Sequence, residues 1–324
     1  GEIAATITDG QNTISNSYIV SFGNIVDLGG VYVMPVDSGD GLYADENGSY
    51  YYKGADPDNY ITFSGLTWRI IGKDSQGIKI ISQDVANLGS YSGASSSDTT
   101  KGAFDIRGYR DSASGGAGGT YCAQSTAANN GCNAWTTSDN FVNTNKSGSV
   151  LLEATLNTYL NTTYKNSLSQ KSLINTATWN VGASAGATST RSIDWMQDKE
   201  DDYTWTGDIA LATRSEYIRI NTNPQCLTGA DLSENKDICK TTNYLFTNKF
   251  YWWLLSPCYT NVTSVSYAND SGYASTISAN NATVRVRPAL YLKPSVTLTG
   301  SGTSANPYTV EVGSEPTPGE LEAP

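Results

Sequence analysis

The sequence of 324 residues predicts an α+β fold, with two helices packed on short, mostly antiparallel strands and long ordered loops between them. Three observations carry this expectation. Residues 60–82 (YITFSGLTWRIIGKDSQGIKIIS) hold two alternating apolar runs, centred on Trp68 and Ile80, around the turn-forming KDSQG, which is the pattern of a β-hairpin. Residues 149–168 change period and set Leu152, Leu156, Leu160 and Tyr164 four apart, as the inward stripe of a helix requires. In TRSE, Thr213 falls at an N-cap and Glu216 three residues on, so each side chain can satisfy a backbone donor of a second helix.

The remaining elements follow in chain order. Residues 1–40 alternate short apolar runs with Gly, Asn and Asp and read as an extended β lead-in to one large domain over 41–312. Residues 90–120 are dominated by Ser, Gly, Ala and Asp and read as loop. FYWWLLSP, ending at Pro257, is apolar on both faces, the signature of a strand buried on both sides. TVRVRPALYLK, ending at Lys293, alternates as a long strand in which Pro288 requires a bulge or an edge position. Residues 313–324 are rich in Pro, Gly and Glu and read as a linker or tail.

Composition narrows the function. Twenty Lys and Arg against 31 Asp and Glu give a net charge of −11, too acidic for a nucleic-acid partner, whose phosphates need a basic face. Histidine is absent, which removes the most common general base and with it His-dependent triads and His-based zinc sites. The expectation is a protein that is not an enzyme and carries no cofactor or metal. With 21 Tyr, 10% aromatic residues and only 16% charged ones, the chain matches folded, β-rich secreted or surface proteins. No apolar run reaches the roughly 18 residues of a membrane span, and the opening GEIAAT reads as the start of a processed or truncated ectodomain. Cys122 with Cys132, and Cys226 with Cys239, bracket polar loops and are expected as two local disulfides of an extracellular protein, while Cys258 stands outside both pairs.

Glu200, Asp201 and Asp202 in KEDD, and Asp56 and Asp58 in GADPDNY, read as solvated acidic loops rather than paired catalytic carboxylates or a calcium loop. The glycines of residues 115–119 precede no helix, so they form no phosphate loop. Trp68, Trp179, Trp252 and Trp253 lie in β-like runs and belong to the core. Between the strands FYWWLLSP and TVRVRPALYLK the composition switches. Tyr259, Asn261, Ser264, Tyr267, Asn269, Asp270, Tyr273, Ser275, Asn280, Asn281 and Thr283 form a segment that combines Tyr contact area with adaptable Ser and Asn hydrogen bonding, the chemistry of recognition loops.

WWLLSP and VRPALYLK, with TWRIIG, LNTYLNTTY and IALATRSEYIR upstream, resemble a family of secreted or surface domains from Gram-positive gut bacteria. That family carries W-W-x-L-S-P, an Asn/Gly/Ser-rich segment and V-R-P-A-L-Y-L, and the resemblance covers roughly residues 40–310. The spacing is also similar to the C-type-lectin-like fold, which includes the variable proteins of diversity-generating retroelements and relatives of the formylglycine-generating enzymes. In the retroelement proteins adenine-directed mutagenesis of Asn codons never yields Lys, Glu, Gln, Met or Trp, and none of these occurs between Pro257 and Val284. Glu-Pro-Asn and Trp-Asn-Asp are absent, and Cys258 stands alone near the C-terminal end, so neither calcium-mediated sugar binding nor formylglycine formation is carried over. The resemblance implies an adhesin-like protein of the bacterial cell surface whose residues 258–283 bind a protein or glycan on another cell, a phage or a host. A structural subunit of a pilus or surface polymer, self-assembling, is the rival expectation, and a secreted hydrolase a more distant one.

Overall fold

The computed structural model describes residues 2–8, 13–19, 25–45, 47–106, 133–136, 153–185, 191–228, 235–258 and 263–312. Helices and strands both occur, and the body is a ten-stranded sheet. Its centre is the hairpin of Leu66–Asp74 and Gly77–Ser82, paired antiparallel as the alternation predicts. Gly77 turns the corner at φ +127°, and a Cβ there would come within 2.1 Å of the Leu292 carbonyl oxygen, so only glycine lets the neighbouring strand approach. Every residue of Gly77–Ser82 is buried, because Ala289–Leu292 pairs along its outer edge. On the other side Tyr60–Phe63 pairs with Leu66–Asp74 and receives Tyr308–Val312 in parallel, which carries the chain's end back to its first half.

Two strand readings need adjustment. Pro288 makes neither a bulge nor an edge: the ladder begins after it, at Ala289, inside the sheet, and its carbonyl still accepts from the Ser82 N–H at 2.9 Å. Trp252–Pro257 is buried throughout, but it belongs to a separate three-stranded sheet with Ser264–Ala268 and Ala274–Ser278. Its outer edge is closed by single bonds, Trp253 N–H to the Arg285 carbonyl and Leu255 N–H to that of Ala212. Within the stretch read as loop, Ala94–Ser95 and Asp98–Gly102 form a small hairpin. The core also reaches ahead of residue 41, since Leu28 is fully buried and the Gly29 carbonyl accepts from Leu298.

The predicted first helix runs as α over Thr155–Tyr159, widens to a π-turn over Leu160–Tyr164 and closes as α over Lys165–Ser167. Leu156, Leu160 and Tyr164 are its buried stripe. Asn161, in the widened turn, accepts from the backbone of Asp208 and Ile209 and donates to the Ile209 carbonyl. The second, Arg214–Arg219, starts at the predicted box: Thr213 Oγ1 accepts from Glu216 N–H, and Glu216 Oε2 from Thr213 N–H. A helix that the sequence did not announce, Ile193–Asp201, lies between them, capped by Ser192 and burying Met196 and Glu200. Trp68, Trp179, Trp252 and Trp253 are all core residues. Phe104 packs between Trp135 and Trp253 at ring distances of 5.4 and 5.9 Å, and truncating any such ring to alanine would cost about 3–5 kcal/mol.

The Cys226–Cys239 disulfide is present, its Cα atoms 5.6 Å apart, and it closes the loop after the capped helix. Cys122 and Cys132, residues 1 and 313–324, and the glycines of 115–119 lie outside the described residues. Cys258 is buried and bridges to Ala185.

Candidate ligand-binding site

Ser264–Ala268 and Ala274–Ser278 form a hairpin in straightforward register, Tyr267 opposite Ser275 and Val265 opposite Ile277. The turn between them is made by Asn269, whose Oδ1 accepts from the N–H groups of Ser271 (2.9 Å) and Tyr273 (3.2 Å). Beneath it, the buried Tyr217 of the capped helix donates its hydroxyl to the Gly272 carbonyl at 3.1 Å, which fixes the turn to the core.

The predicted binding residues separate on this frame. Ser264 and Asn269 are buried, and Asn269 is committed to the turn. Asn281 Oδ1 accepts from both the N–H and the hydroxyl of Thr283, so this pair shapes the loop leading to Val284. Tyr267, Tyr273, Ser275 and Asn280 are half-buried, and Asp270 is exposed. Tyr259 and Asn261 lie outside the described residues. The structure adds Tyr251, 39% exposed, whose ring meets that of Tyr267 edge-on at 5.6 Å. Burial raises the Tyr267 phenol above its usual range; a hydrogen bond with Ser275 works against this, and Tyr273, Tyr251 and Asp270 add to it. One patch therefore gathers three tyrosines, a serine and an aspartate. Sequence reasoning missed Tyr251, because it lies within FYWWLLSP, a run read as buried on both faces, and its ring partner Tyr267 is 16 residues away.

The acidic run holds the largest surprise. Glu200 is not in a solvated loop but on the inner face of a helix, 1% exposed. Its Oε1 accepts from Ser184 Oγ and Ser256 Oγ, each at 2.6 Å, and from Ser215 N–H at 3.2 Å, while Oε2 accepts from Ser215 Oγ. Burial raises the Glu200 pKa and the hydroxyls oppose the rise. Arg214, also buried, is pulled down to about 10 by desolvation, against which Glu200 and Cys258 act; its Nη1 donates to Ser266 Oγ at 3.3 Å. This cluster ties one helix, the start of another and the strand Trp252–Pro257 together. In front of it lies a cleft of about 230 Å³ in which Lys79 pairs with Glu216 and Arg219 with Asp45 at 3.2 Å, while Asp74 and Asp201 also line it and are met by the Tyr291 hydroxyl and the Asn180 amide. Asp56 and Asp58 are exposed as expected, Asp56 pairing with Arg69 at 3.2 Å. Among the described residues no three His, Cys, Asp or Glu side chains are placed to hold a metal ion, and no helix is long and apolar enough to cross a membrane.

A family described as a domain of unknown function (DUF6273) matches residues 137–294. The match spans the tyrosine patch and the Glu200 cluster, and it leaves out the central hairpin of the large sheet. No curated protein and no solved structure matches the chain.

Proposed function

We propose that this protein is a non-enzymatic, adhesin-like recognition protein of the bacterial cell surface. In this reading it has a C-type-lectin-like architecture, residues 258–283 are its binding segment, and a protein or glycan on another surface is its partner. The observation that carries the proposal is the patch in which Tyr251, just ahead of the neighbouring strand, meets Tyr267, Tyr273, Ser275 and Asp270 of a hairpin whose turn is pinned from below by Tyr217. Rigid phenols give contact area at small entropic cost, and the serine and aspartate add hydrogen bonds. The Cys226–Cys239 disulfide suits an oxidising compartment, and the charge of −11 disfavours nucleic acid. The lack of Lys, Glu, Gln, Met and Trp over residues 258–283 is also what adenine-directed diversification of that segment would leave.

The test replaces Tyr251, Tyr267 and Tyr273 together with serine and measures retention on glycan arrays and on bacterial and host cells. Wild-type protein should be retained and the variant released, with its circular dichroism unchanged. Equal retention, or an unfolded variant, would overturn the reading. Sequencing the locus from several isolates tests the diversification separately, since substitutions should concentrate between Pro257 and Val284.

One observation favours the rival reading of a polymer subunit: among the described residues Ala274–Ser278 pairs on one side only, which makes it an edge strand of its sheet. Sedimentation of the wild-type chain decides it, because a concentration-independent monomer rules out a self-assembling subunit.

A further inference from the structure

The cleft in front of the Glu200 cluster shares Arg219 with a larger cavity of about 710 Å³, within the range that holds small organic ligands. The wall of this cavity is already organised. The Arg219 guanidinium lies over the Tyr51 ring, 4.4 Å from its centre, and is held there by Asp45 at 3.2 Å and by the side-chain carbonyl of Gln197, which accepts from Nη2 at 3.0 Å. Lys53 bears on the same ring, its ammonium 5.5 Å from the centre of Tyr51 and 4.9 Å from that of Tyr43. Unlike Arg219 it has no carboxylate: among the described residues the Lys53 ammonium makes neither an ion pair nor a hydrogen bond. Burial first, and Arg219 second, lower its pKa, so in a protein of net charge −11 two cations bear on one space.

The ammonium is not sealed off. Lys53 is half-buried, and its nitrogen is not among the polar atoms that the fold encloses without a partner. The same holds for the Gln197 amide nitrogen, which the clamp on Arg219 leaves as a donor with no acceptor in the protein. Asp194, exposed at the start of the helix Ile193–Asp201, adds a carboxylate that accepts from no described group. A reachable cation without a counter-charge, an oriented amide donor, an open acceptor and an aromatic ring suit a ligand with one negative charge and several hydroxyls. Phosphate or sulfate would meet Lys53 but leave most of the volume empty and face Asp194, and a neutral sugar would leave Lys53 unmet.

We propose that this cavity is a second binding site, for a saccharide that carries a uronic-acid carboxylate. The ligand carboxylate accepts from the Lys53 ammonium, its hydroxyls accept from the Gln197 amide and donate to Asp194, and its rings fill the space bordered by Tyr51. None of these residues belongs to the tyrosine patch, so the two sites stand or fall separately.

Isothermal titration of the wild-type chain with methyl β-D-glucuronide and with trigalacturonate tests the assignment. Methyl β-D-glucoside, methyl-esterified trigalacturonate and inorganic phosphate are the comparisons. At least one acidic sugar should bind saturably at one site, and its uncharged counterpart, which offers Lys53 no carboxylate, should bind about tenfold more weakly or worse. Lys53→Met keeps the stem on the tyrosine rings and removes the charge, so it should weaken the acidic sugar to the level of the uncharged one with an unchanged melting curve. Gln197→Glu keeps the acceptor for Arg219 but replaces the donor with a negative charge, and should weaken the acidic sugar more than its counterpart. The proposal is overturned if neither acidic sugar binds saturably at millimolar concentration, if phosphate or the uncharged counterpart binds as tightly, or if both variants bind like wild type.

Discussion

The capped helix Arg214–Arg219 touches two regions that use the same short polar side chains in opposite ways. On one side Ser215 joins Ser184 and Ser256 in closing around the buried carboxylate of Glu200. On the other, Tyr217 holds the turn of a hairpin whose Ser275, Asp270 and tyrosines remain at the surface. In the first region the serines lend rigidity because each hydroxyl has a fixed acceptor where water cannot compete. In the second they are adjustable because water, or a partner, is their alternative. A serine's role here is set by what surrounds it and not by its identity. For the proposed recognition surface the interior cluster would serve as a stiff framework, since a contact surface held on a loose one would lose part of its binding free energy to ordering.

The contrast fails first at Glu200 if it fails at all. Glu200→Ala leaves Arg214 buried without its counter-charge and three hydroxyls without their acceptor, and should destabilise the fold by about 3–5 kcal/mol in a urea titration. A loss below about 1 kcal/mol would show that the cluster is not the anchor. Its pH dependence has a definite sign. Because burial raises the Glu200 pKa, the folded state holds the proton more strongly than the unfolded chain, so ionisation of this group lowers stability. The contribution is fully present below the ordinary value of 4.5 and is lost as pH rises through the folded value. Glu200→Gln lacks this loss, so wild type minus variant stability should fall with rising pH from about 4.5 upward. Next in size is the clamp on the loop after the capped helix. The double change Cys226→Ser, Cys239→Ser opens a bridge spanning 13 residues and should cost about 3 kcal/mol, a drop that reductant should reproduce on the wild type.

How much of this could be read beforehand follows from where each interaction partner sits in the chain. The hairpin around Gly77 and the Thr213–Glu216 box are local, with all determinants within a few residues, and both occur at the residues that predicted them. Glu200 could not be placed that way. Its acceptor role depends on serines 15, 16 and 56 residues away, while its immediate neighbours are the charges of KEDD, which by themselves describe a solvated loop. Composition likewise flagged the segment over residues 258–283 without separating Asn269, which builds the turn, from Tyr267 and Tyr273, which flank it at the surface. Arg287 stood in an alternating strand pattern, and only the Ser82 and Leu245 carbonyls that accept from its buried guanidinium mark it as different. Local capping is also the more modest contribution: Thr213→Ala should cost about 1 kcal/mol, well below the effect at Glu200, although the two lie on the same framework. A loss as large as that of Glu200→Ala would mean the cap and the cluster act as one unit.

The smallest effect is expected on the outer face, where it is also the sharpest discriminator. Tyr267→Phe and Tyr273→Phe keep the rings against Tyr251 and the core and remove the hydroxyls of two half-buried side chains, with a single hydrogen bond to Ser275 lost at Tyr267, so folding stability should change by less than about 1 kcal/mol. In the tyrosine-labelled wild type, the Tyr267 ring resonance should titrate above the ordinary 10.0, because burial dominates its surroundings, and that transition should vanish in Tyr267→Phe. On the proposed function, retention on a partner surface should fall several-fold in the same variants, because the hydroxyls would be the polar half of the contact that tyrosine provides. Stability lost without any change in retention would place these hydroxyls with the serines around Glu200, as parts of the framework, and the distinction between the two regions would disappear.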